Sequence, residues 1–226
     1  EALNKSLATQ DVDTCRIYAN IAHAYHTKGE LDKADDYLIR SIDENNEEMN
    51  GDIISILSVW GRKGLASRLS KLEAHAQTCS GSMMCSIALA VEYGFDCQFA
   101  KQIDCLKMLN ENDESAVLCG QIADAYLAQG NCKAAMEYID KALALAPEQL
   151  ETIEKKVMSE CLSGNYDKGI ETATKMIEIA PDNHRGYYLR SVAEAQAGNY
   201  GAAIEDCEMA NILVDDMYFD LGEYYL

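Results

Sequence analysis

Histidine and cysteine are the residues of this sequence best suited to bind a metal or to attack a carbonyl group. His23 and His26 stand three residues apart, a spacing that places both imidazoles on one face of a helix. No carboxylate in this stretch clearly completes a ligand set with them, so we expect no metal there. Cys119 occupies an apolar position of its predicted helix, which favours core packing over nucleophilic catalysis. The remaining histidines, His75 and His184, are isolated in the sequence.

The nine cysteines are scattered along the chain, and none forms a CxxC pair or the paired spacing of a zinc site. Thiols distributed in this way usually fill small apolar spaces, which favours a reducing compartment and a cytoplasmic location. The sequence begins with Glu1 instead of methionine, so a removed signal peptide and an extracytoplasmic location stay open as an alternative. In that case Cys97 could pair with Cys105, and Cys79 with Cys85.

Motifs that mark enzyme active sites are missing from the sequence. It has no glycine-rich phosphate loop, no HExxH and no GxSxG. Adjacent acidic pairs such as Asp35 and Asp36 point away from each other on a helix, so they make poor acid–base couples. We therefore expect no catalysis by this chain, no cofactor and no bound metal.

The charge balance is strongly acidic. The 226 residues include 38 Asp and Glu against 19 Lys and Arg, a formal net charge of −19. Such a surface repels phosphate backbones and anionic lipid, which makes nucleic acid and a membrane surface improbable partners. The longest apolar stretch, residues 83–91, is far shorter than the roughly 18 residues of a membrane-spanning helix. We expect no membrane insertion.

Nearly the same phrase recurs at a fixed interval of 34 residues. GNCKAAMEYIDKALALAPEQ begins at Gly130, GNYDKGIETATKMIEIAPDN at Gly164 and GNYGAAIEDCEMANILVDDM at Gly198. The composition is rich in helix formers and contains only two prolines. A period of this length predicts one supersecondary unit that stacks repeatedly on its neighbours, because a single helix pair cannot bury its apolar face alone.

The repeated unit resembles the tetratricopeptide repeat, in which an aromatic residue, small residues and a turn glycine recur at set positions of two helices. The residues that carry the resemblance are Tyr18, Ala22, Tyr25, Gly29 and Ala34 in the first repeat, Ala123, Tyr126, Gly130, Ala135 and Pro147 in the fourth, and Gly198, Tyr200 and Ala203 in the sixth. The resemblance implies an all-α fold, a right-handed α–α superhelix (a solenoid) of about six helix-turn-helix repeats with partial terminal helices.

A single solenoid domain over residues 1–226 is expected. Its repeats lie near 15–48, 49–82, 83–115, 116–149, 150–183 and 184–214. The third repeat is degenerate, because Gly94 and Ala100 do not share one register. Residues 215–226 carry Tyr218, Leu221 and Gly222 and form a partial seventh repeat or a capping helix. Residues 1–10 read like the second helix of an earlier repeat, so both ends are either cuts in a longer array or solvating caps.

The resemblance also implies a concave groove lined by the first helix of each repeat. Carrying the groove positions over to this sequence gives the candidate partner-binding residues Arg16, Asn20, His23, Arg62, Gln121, Asp124, Lys155, Arg185, Tyr188 and Leu189. Lys155 and Arg185 are the only neighbouring basic pair among the groove positions, and we expect them to anchor an anionic group. The Lys and Asn that clamp chaperone C-terminal carboxylates in some relatives are absent, since the first repeat has Ala19 and His23 at those positions.

The sequence therefore predicts a non-catalytic protein-interaction scaffold that binds a partner peptide or helix in the groove. Two alternatives stay open at this point: a regulatory or docking module of a larger enzyme or assembly, and a sensor of peptides or small ligands. The sequence does not specify an oligomeric state.

Overall fold

A computed structural model describes residues 14–44, 50–79, 82–112 and 114–223, with side chains over 14–44, 53–79, 82–111 and 114–214. The segment 1–10 and the side chains of the expected seventh motif lie outside these ranges.

The described residues contain twelve α-helices and no strand. The helices are α1 (Thr14–Lys28), α2 (Leu31–Asp43), α3 (Asn50–Trp60), α4 (Leu65–Thr78), α5 (Met83–Phe95), α6 (Phe99–Asn112), α7 (Ala116–Ala128), α8 (Cys132–Leu145), α9 (Leu150–Leu162), α10 (Tyr166–Ile179), α11 (His184–Ala197) and α12 (Tyr200–Glu223). They fall into six pairs that follow the predicted repeats. The all-α solenoid fold is confirmed.

The helices form two compact units, one within residues 1–113 and the other within 114–226. Unit 1 contains α1 to α6, and unit 2 contains α7 to α12. In unit 1, α3 packs against α1 and α5, so first helices lie beside first helices, while α4 packs on α2 and α5. In unit 2, α9 likewise contacts α7 and α11. That the two units together form one domain over residues 1–226 stays a prediction.

Small residues allow the helices of a repeat to approach closely. Ala22 on α1 and Ala34 on α2 are fully buried in unit 1, and Ala123 and Ala135 hold the corresponding positions in unit 2. Larger side chains such as Leu38 fill the space between layers. The small residues that carry the repeat resemblance thus lie in the core at equivalent positions of both units.

The third repeat has a defined register that the sequence did not reveal. Other repeats turn through glycines with positive φ, for example 87° at Gly29 and 73° at Gly130. Between α5 and α6 this place is taken by Cys97, whose φ is 59°. The position that is alanine in the first, fourth and sixth repeats is Gln102 here. Gly94 makes room for it, since a β-carbon at Gly94 would lie 2.7 Å from Gln102 Nε2. Because Cys97 and Gln102 occupy these two positions, the sequence alone did not show the register of the third repeat.

The last helix, α12, is 24 residues long and runs through residue 214 without a break. The backbone of residues 215–223 therefore continues the second helix of the sixth repeat. Whether this extension is a partial repeat or a cap stays a prediction. Across the described ranges, no helix has both the length and the apolar character needed to cross a bilayer.

Candidate partner-binding surface

The first helices of unit 2, α7, α9 and α11, carry four exposed large hydrophobic residues. Val117 on α7, Met158 and Leu162 on α9 and Tyr188 on α11 are 59%, 49%, 68% and 56% exposed. Tyr188 is one of the predicted groove residues, and the other three lie on first helices of the same unit. Large apolar side chains grouped on neighbouring helices are typical of interaction sites, because leaving them in water is unfavourable.

Two ion pairs link these three helices. Lys155 Nζ on α9 lies 3.0 Å from Asp124 Oδ2 on α7. Arg185 on α11 donates two hydrogen bonds to Glu154 on α9, from Nε to Oε1 over 2.5 Å and from Nη2 to Oε2 over 2.6 Å. The bonds to Glu154 raise the pKa of Arg185. Charged groups on this surface are therefore matched across helices.

These ion pairs bear on the expectation that Lys155 and Arg185, a neighbouring basic pair in the predicted groove, anchor an anionic group. Each cation already has a carboxylate partner, so an anionic ligand must compete with Asp124 or Glu154. Lys155 Nζ lies next to Gly120, where a β-carbon would be at an ordinary contact distance of 3.5 Å. We call Val117, Gln121, Asp124, Glu154, Lys155, Met158, Leu162, Arg185 and Tyr188 the first-helix face of unit 2.

Leu189 was predicted to line the groove, and this prediction is wrong. Only 8% of the residue is exposed, and it packs in the core of unit 2 with Ile153, Val157 and Met176. The adjacent Tyr188 takes the exposed position because successive residues of a helix point about 100° apart. Gln121 is exposed, as expected.

A cleft of about 460 Å³ adjoins Tyr188 at the α11–α12 hairpin. Its apolar lining includes Val192, Tyr200, Ala203 and Ile204. Tyr200 and Ile204 are 68% and 59% exposed. The cleft extends the apolar part of the first-helix face of unit 2 toward the second helix of the sixth repeat.

The predicted groove residues of unit 1 have a different character. Arg16 and Asn20 are exposed on α1. His23 accepts a hydrogen bond at Nδ1 from the Trp60 indole N–H over 3.1 Å. Arg62 donates from Nε to the carbonyl oxygen of Phe95 over 2.8 Å and from Nη2 to Cys97 Sγ over 3.1 Å. His23 and Arg62 thus take part in contacts between helices of unit 1.

The two histidines considered for metal binding both contact Trp60. His26 is buried and stacks on the indole, with ring centroids 4.3 Å apart and planes within 5°. Burial lowers the pKa of His26, which favours the neutral ring. The imidazole of His26 also lies 3.4 Å from the carbonyl oxygen of Lys63. In this structure the histidines pack around the tryptophan.

None of the nine cysteines forms a disulfide, including the pairs that an oxidising compartment would allow. Cys119 is fully buried on α7, which confirms its assignment to the core. Burial raises the pKa of the Cys161 and Cys105 thiols and that of Cys85 to about 11, so these groups are held in the thiol form.

Sequence reasoning missed two clusters in unit 1. Arg68 and Glu92 form a fully buried ion pair, 2.9 Å between Nη2 and Oε2, although nothing in either residue's local sequence indicates burial. Asp43, His75 and Cys79 lie together at the ends of two helices. The four-residue spacing of His75 and Cys79 was a signal for the second cluster, but no sequence pattern connects Asp43 with them.

Comparison with known proteins gives one family match. The family model of the tetratricopeptide repeat matches residues 16–48 and 116–149, which contain the α1–α2 and α7–α8 hairpins. No curated protein matches the sequence.

Solved structures with the same fold are numerous. A crystal structure of MamA is 19% identical and covers 68% of this chain and 91% of its own, with a TM-score of 0.60. YrrB, described as a TPR protein with an unusual peptide-binding site, is 17% identical and covers 84% and 98%, with a TM-score of 0.59. A tetratricopeptide repeat protein from Parabacteroides merdae ATCC 43184 is 17% identical and covers 94% and 88%, with a TM-score of 0.61. At these identities the comparison establishes the fold.

Proposed function

We propose that this chain, which matches the tetratricopeptide-repeat family model over residues 16–48 and 116–149, acts as a non-catalytic scaffold whose first-helix face of unit 2 binds a partner peptide or helix. The observation that carries the proposal is the group of four exposed hydrophobic residues set among two ion pairs on neighbouring first helices. The peptide-binding site of YrrB supports the use of this fold for the same purpose.

The chemistry of the face favours an amphipathic segment as the partner. Met158 and Tyr188 can take up apolar side chains, and Tyr188 adds a hydroxyl group that can hydrogen-bond. The two ion pairs offer both signs of charge, so they select a segment whose own charges match them in order. Because helices α7, α9 and α11 are packed together, the face loses little conformational entropy on binding. Nucleic acid is an unfavourable partner for a chain of net charge −19.

The test starts from peptides selected on the purified chain from a random displayed library, with affinities measured by calorimetry. Substituting Met158→Asp together with Tyr188→Asp should weaken binding by at least about tenfold, because both side chains lose apolar contacts with the peptide. The matched control is Leu145→Asp with Ile179→Asp, two exposed hydrophobic residues on second helices of the same unit. The control should bind with wild-type affinity, and equal affinities for all three chains would overturn the proposed face.

Calorimetry with the same selected peptides also tests the role of Lys155 and Arg185. If Lys155 and Arg185 anchor an acidic group of the peptide, Lys155→Glu with Arg185→Glu weakens binding. Asp124→Asn with Glu154→Gln should strengthen binding of the same acidic peptide, because it frees both cations from their present partners. Helicity, followed by circular dichroism, should be unchanged in both variants. If neither double variant changed the affinity for the peptide, Lys155 and Arg185 would not anchor it, and the binding site would consist of the apolar residues alone.

A further inference from the structure

Three side chains with metal-binding atoms converge in unit 1 where helices α2 and α4 end. Asp43 is the last residue of α2, His75 lies in the last turn of α4, and Cys79 follows that helix directly. Asp43 Oδ1 lies 2.8 Å from His75 Nε2 and 3.8 Å from Cys79 Sγ, and Cys79 Sγ lies 3.1 Å from His75 Nε2. The three donor atoms are all within 4.8 Å of one another.

The geometry differs from that of a Cys–His–Asp catalytic relay. In a relay the imidazole uses one nitrogen for the nucleophile and the other for the carboxylate. Here Asp43 and Cys79 both approach the same nitrogen, Nε2, whereas His75 Nδ1 is 3.9 Å from Cys79 Sγ. Donor atoms around a tetrahedral zinc ion at about 2.0–2.3 Å lie about 3.3–3.8 Å apart. The present separations of 2.8, 3.1 and 3.8 Å lie close to that range.

The backbone fixes two of the three donors. His75 and Cys79 are four residues apart, so their side chains lie on the same side of α4. The Cys79 N–H donates to the carbonyl oxygen of His75 over 3.0 Å, and the Cys79 carbonyl oxygen accepts from the N–H of Ser82 over 3.1 Å. Thr78 Oγ1 also donates to the His75 carbonyl oxygen, over 2.7 Å. Little rearrangement is needed to bring the three donors around an ion.

We propose that Asp43, His75 and Cys79 bind a zinc-class divalent metal ion that joins the second helices of the first two repeats. A carboxylate and a thiolate together balance two positive charges, and the imidazole contributes a neutral nitrogen. The mixed oxygen, nitrogen and sulfur set suits zinc and excludes calcium and magnesium, which take oxygen ligands. Both helices present their negative dipole ends to the site.

The site has room for a fourth ligand. The Asp43 side chain is 47% exposed and that of His75 15%, so the cluster is reachable from solvent. Among the described residues with side chains, no fourth metal-binding group belongs to the same cluster. Water therefore completes the tetrahedron in this proposal. The sequence predicted no metal because it paired His23 with His26 and left His75 isolated.

Cobalt(II) in place of zinc gives a direct readout, because a bound thiolate produces a charge-transfer band in the near ultraviolet and tetrahedral cobalt absorbs strongly in the visible. The untagged, reduced full chain is stripped with a chelator and titrated with cobalt and then with zinc. We expect one equivalent of cobalt to give both bands and zinc to displace it. We expect Cys79→Ser to lose the thiolate band, and Asp43→Asn to bind at least about tenfold more weakly.

Cys97→Ser is the matched control, since Cys97 is an exposed thiol of the same unit outside the cluster. It should keep both bands and the wild-type affinity. Circular dichroism of each metal-free variant checks that the helices are retained, and zinc should raise the melting temperature of the wild type and of Cys97→Ser alone. Cobalt binding without a thiolate band, equal affinity in Cys79→Ser, or no binding at millimolar metal would overturn the site.

Discussion

At the scale of single residues, two carboxyl groups are buried among the described residues of unit 1, those of Asp35 and Glu92. Asp35 is 2% exposed and accepts one hydrogen bond from Ser67 Oγ over 3.3 Å. Burial raises its pKa from 3.8 to about 6, although the positive charges of Arg68 and Lys71 act in the opposite direction. Burial also raises the pKa of Glu92, and the positive charge of Arg68 offsets part of that effect. Folding therefore favours the protonated form of both groups.

The raised pKa of Asp35 predicts a pH dependence with a definite sign. Between its unfolded pKa of 3.8 and its folded pKa of about 6, the folded chain binds more protons than the unfolded chain. The contribution of Asp35 is thus fully present below the lower value and is lost as the pH rises through the upper one. Asp35→Asn should raise the free energy of unfolding near neutral pH by roughly 1–3 kcal/mol and have less effect near pH 4.

Urea denaturation of wild type and variant across this pH range measures the effect. Asp36→Asn is the control, because Asp36 is the exposed neighbour of Asp35 and pairs with Lys71 over 2.9 Å. The control should keep the wild-type pH profile. A profile that Asp35→Asn leaves unchanged would show that the folded pKa of Asp35 is close to its ordinary value.

Single residues also mark the limit of the sequence prediction. Exposure of Gln121 and Tyr188 followed from the repeat positions, because the helical period fixes which side chains point outward. The partners of Lys155 and Arg185 did not follow, since Asp124 and Glu154 lie 31 residues earlier in each case. Such pairs depend on the register between neighbouring helices, which a single sequence does not display.

At the scale of the helical elements, the turn before α6 shows how tertiary contacts override local preference. A non-glycine residue in the left-handed region costs about 1–2 kcal/mol. Arg62 approaches this turn from the α3–α4 connection and contacts both Cys97 and the end of α5. The 34-residue period predicted the helix pair at 83–115, but its register was hidden because Cys97 and Gln102 replace the usual glycine and alanine.

A glycine in α10 provides a test of packing between elements. A β-carbon on Gly169 would lie 2.9 Å from Cys161 Sγ on α9 and 3.5 Å from Ala193 Cβ on α11. Gly169→Ala should therefore be less favourable in the wild type than in a Cys161→Ala background. We expect a coupling free energy of about 1–2 kcal/mol from a double-mutant cycle measured by urea unfolding.

Gly201→Ala serves as the comparison for that cycle. Gly201 lies in α12, and a β-carbon there meets no atom within 4 Å. This substitution should stabilise by about 0.5–1 kcal/mol through helix propensity alone, with the same value in both backgrounds. If the coupling free energy between Gly169→Ala and Cys161→Ala were zero, the added β-carbon would not be strained against Cys161.

At the scale of the whole molecule, the charge is the dominant feature. The net charge of −19 is spread over a helical surface whose exposed ion pairs each contribute little. Screening of the repulsion should therefore outweigh screening of the pairs. The melting temperature should rise by a few degrees when salt is increased from about 10 mM to about 200 mM. The rise should disappear near the isoelectric point of about 4.5, and a fall in melting temperature with salt at neutral pH would contradict this account.

Trp60 is the only tryptophan of the chain, and it is buried in unit 1 against His26 and His23. Indole emission from the unlabelled protein therefore originates in the first half alone, and unit 2 contributes no tryptophan signal. A ligand that changes this emission has acted on the surroundings of Trp60. An optical probe of the other half has to be introduced, and Tyr188→Trp combined with Trp60→Phe would place the single fluorophore where the proposed peptide binds.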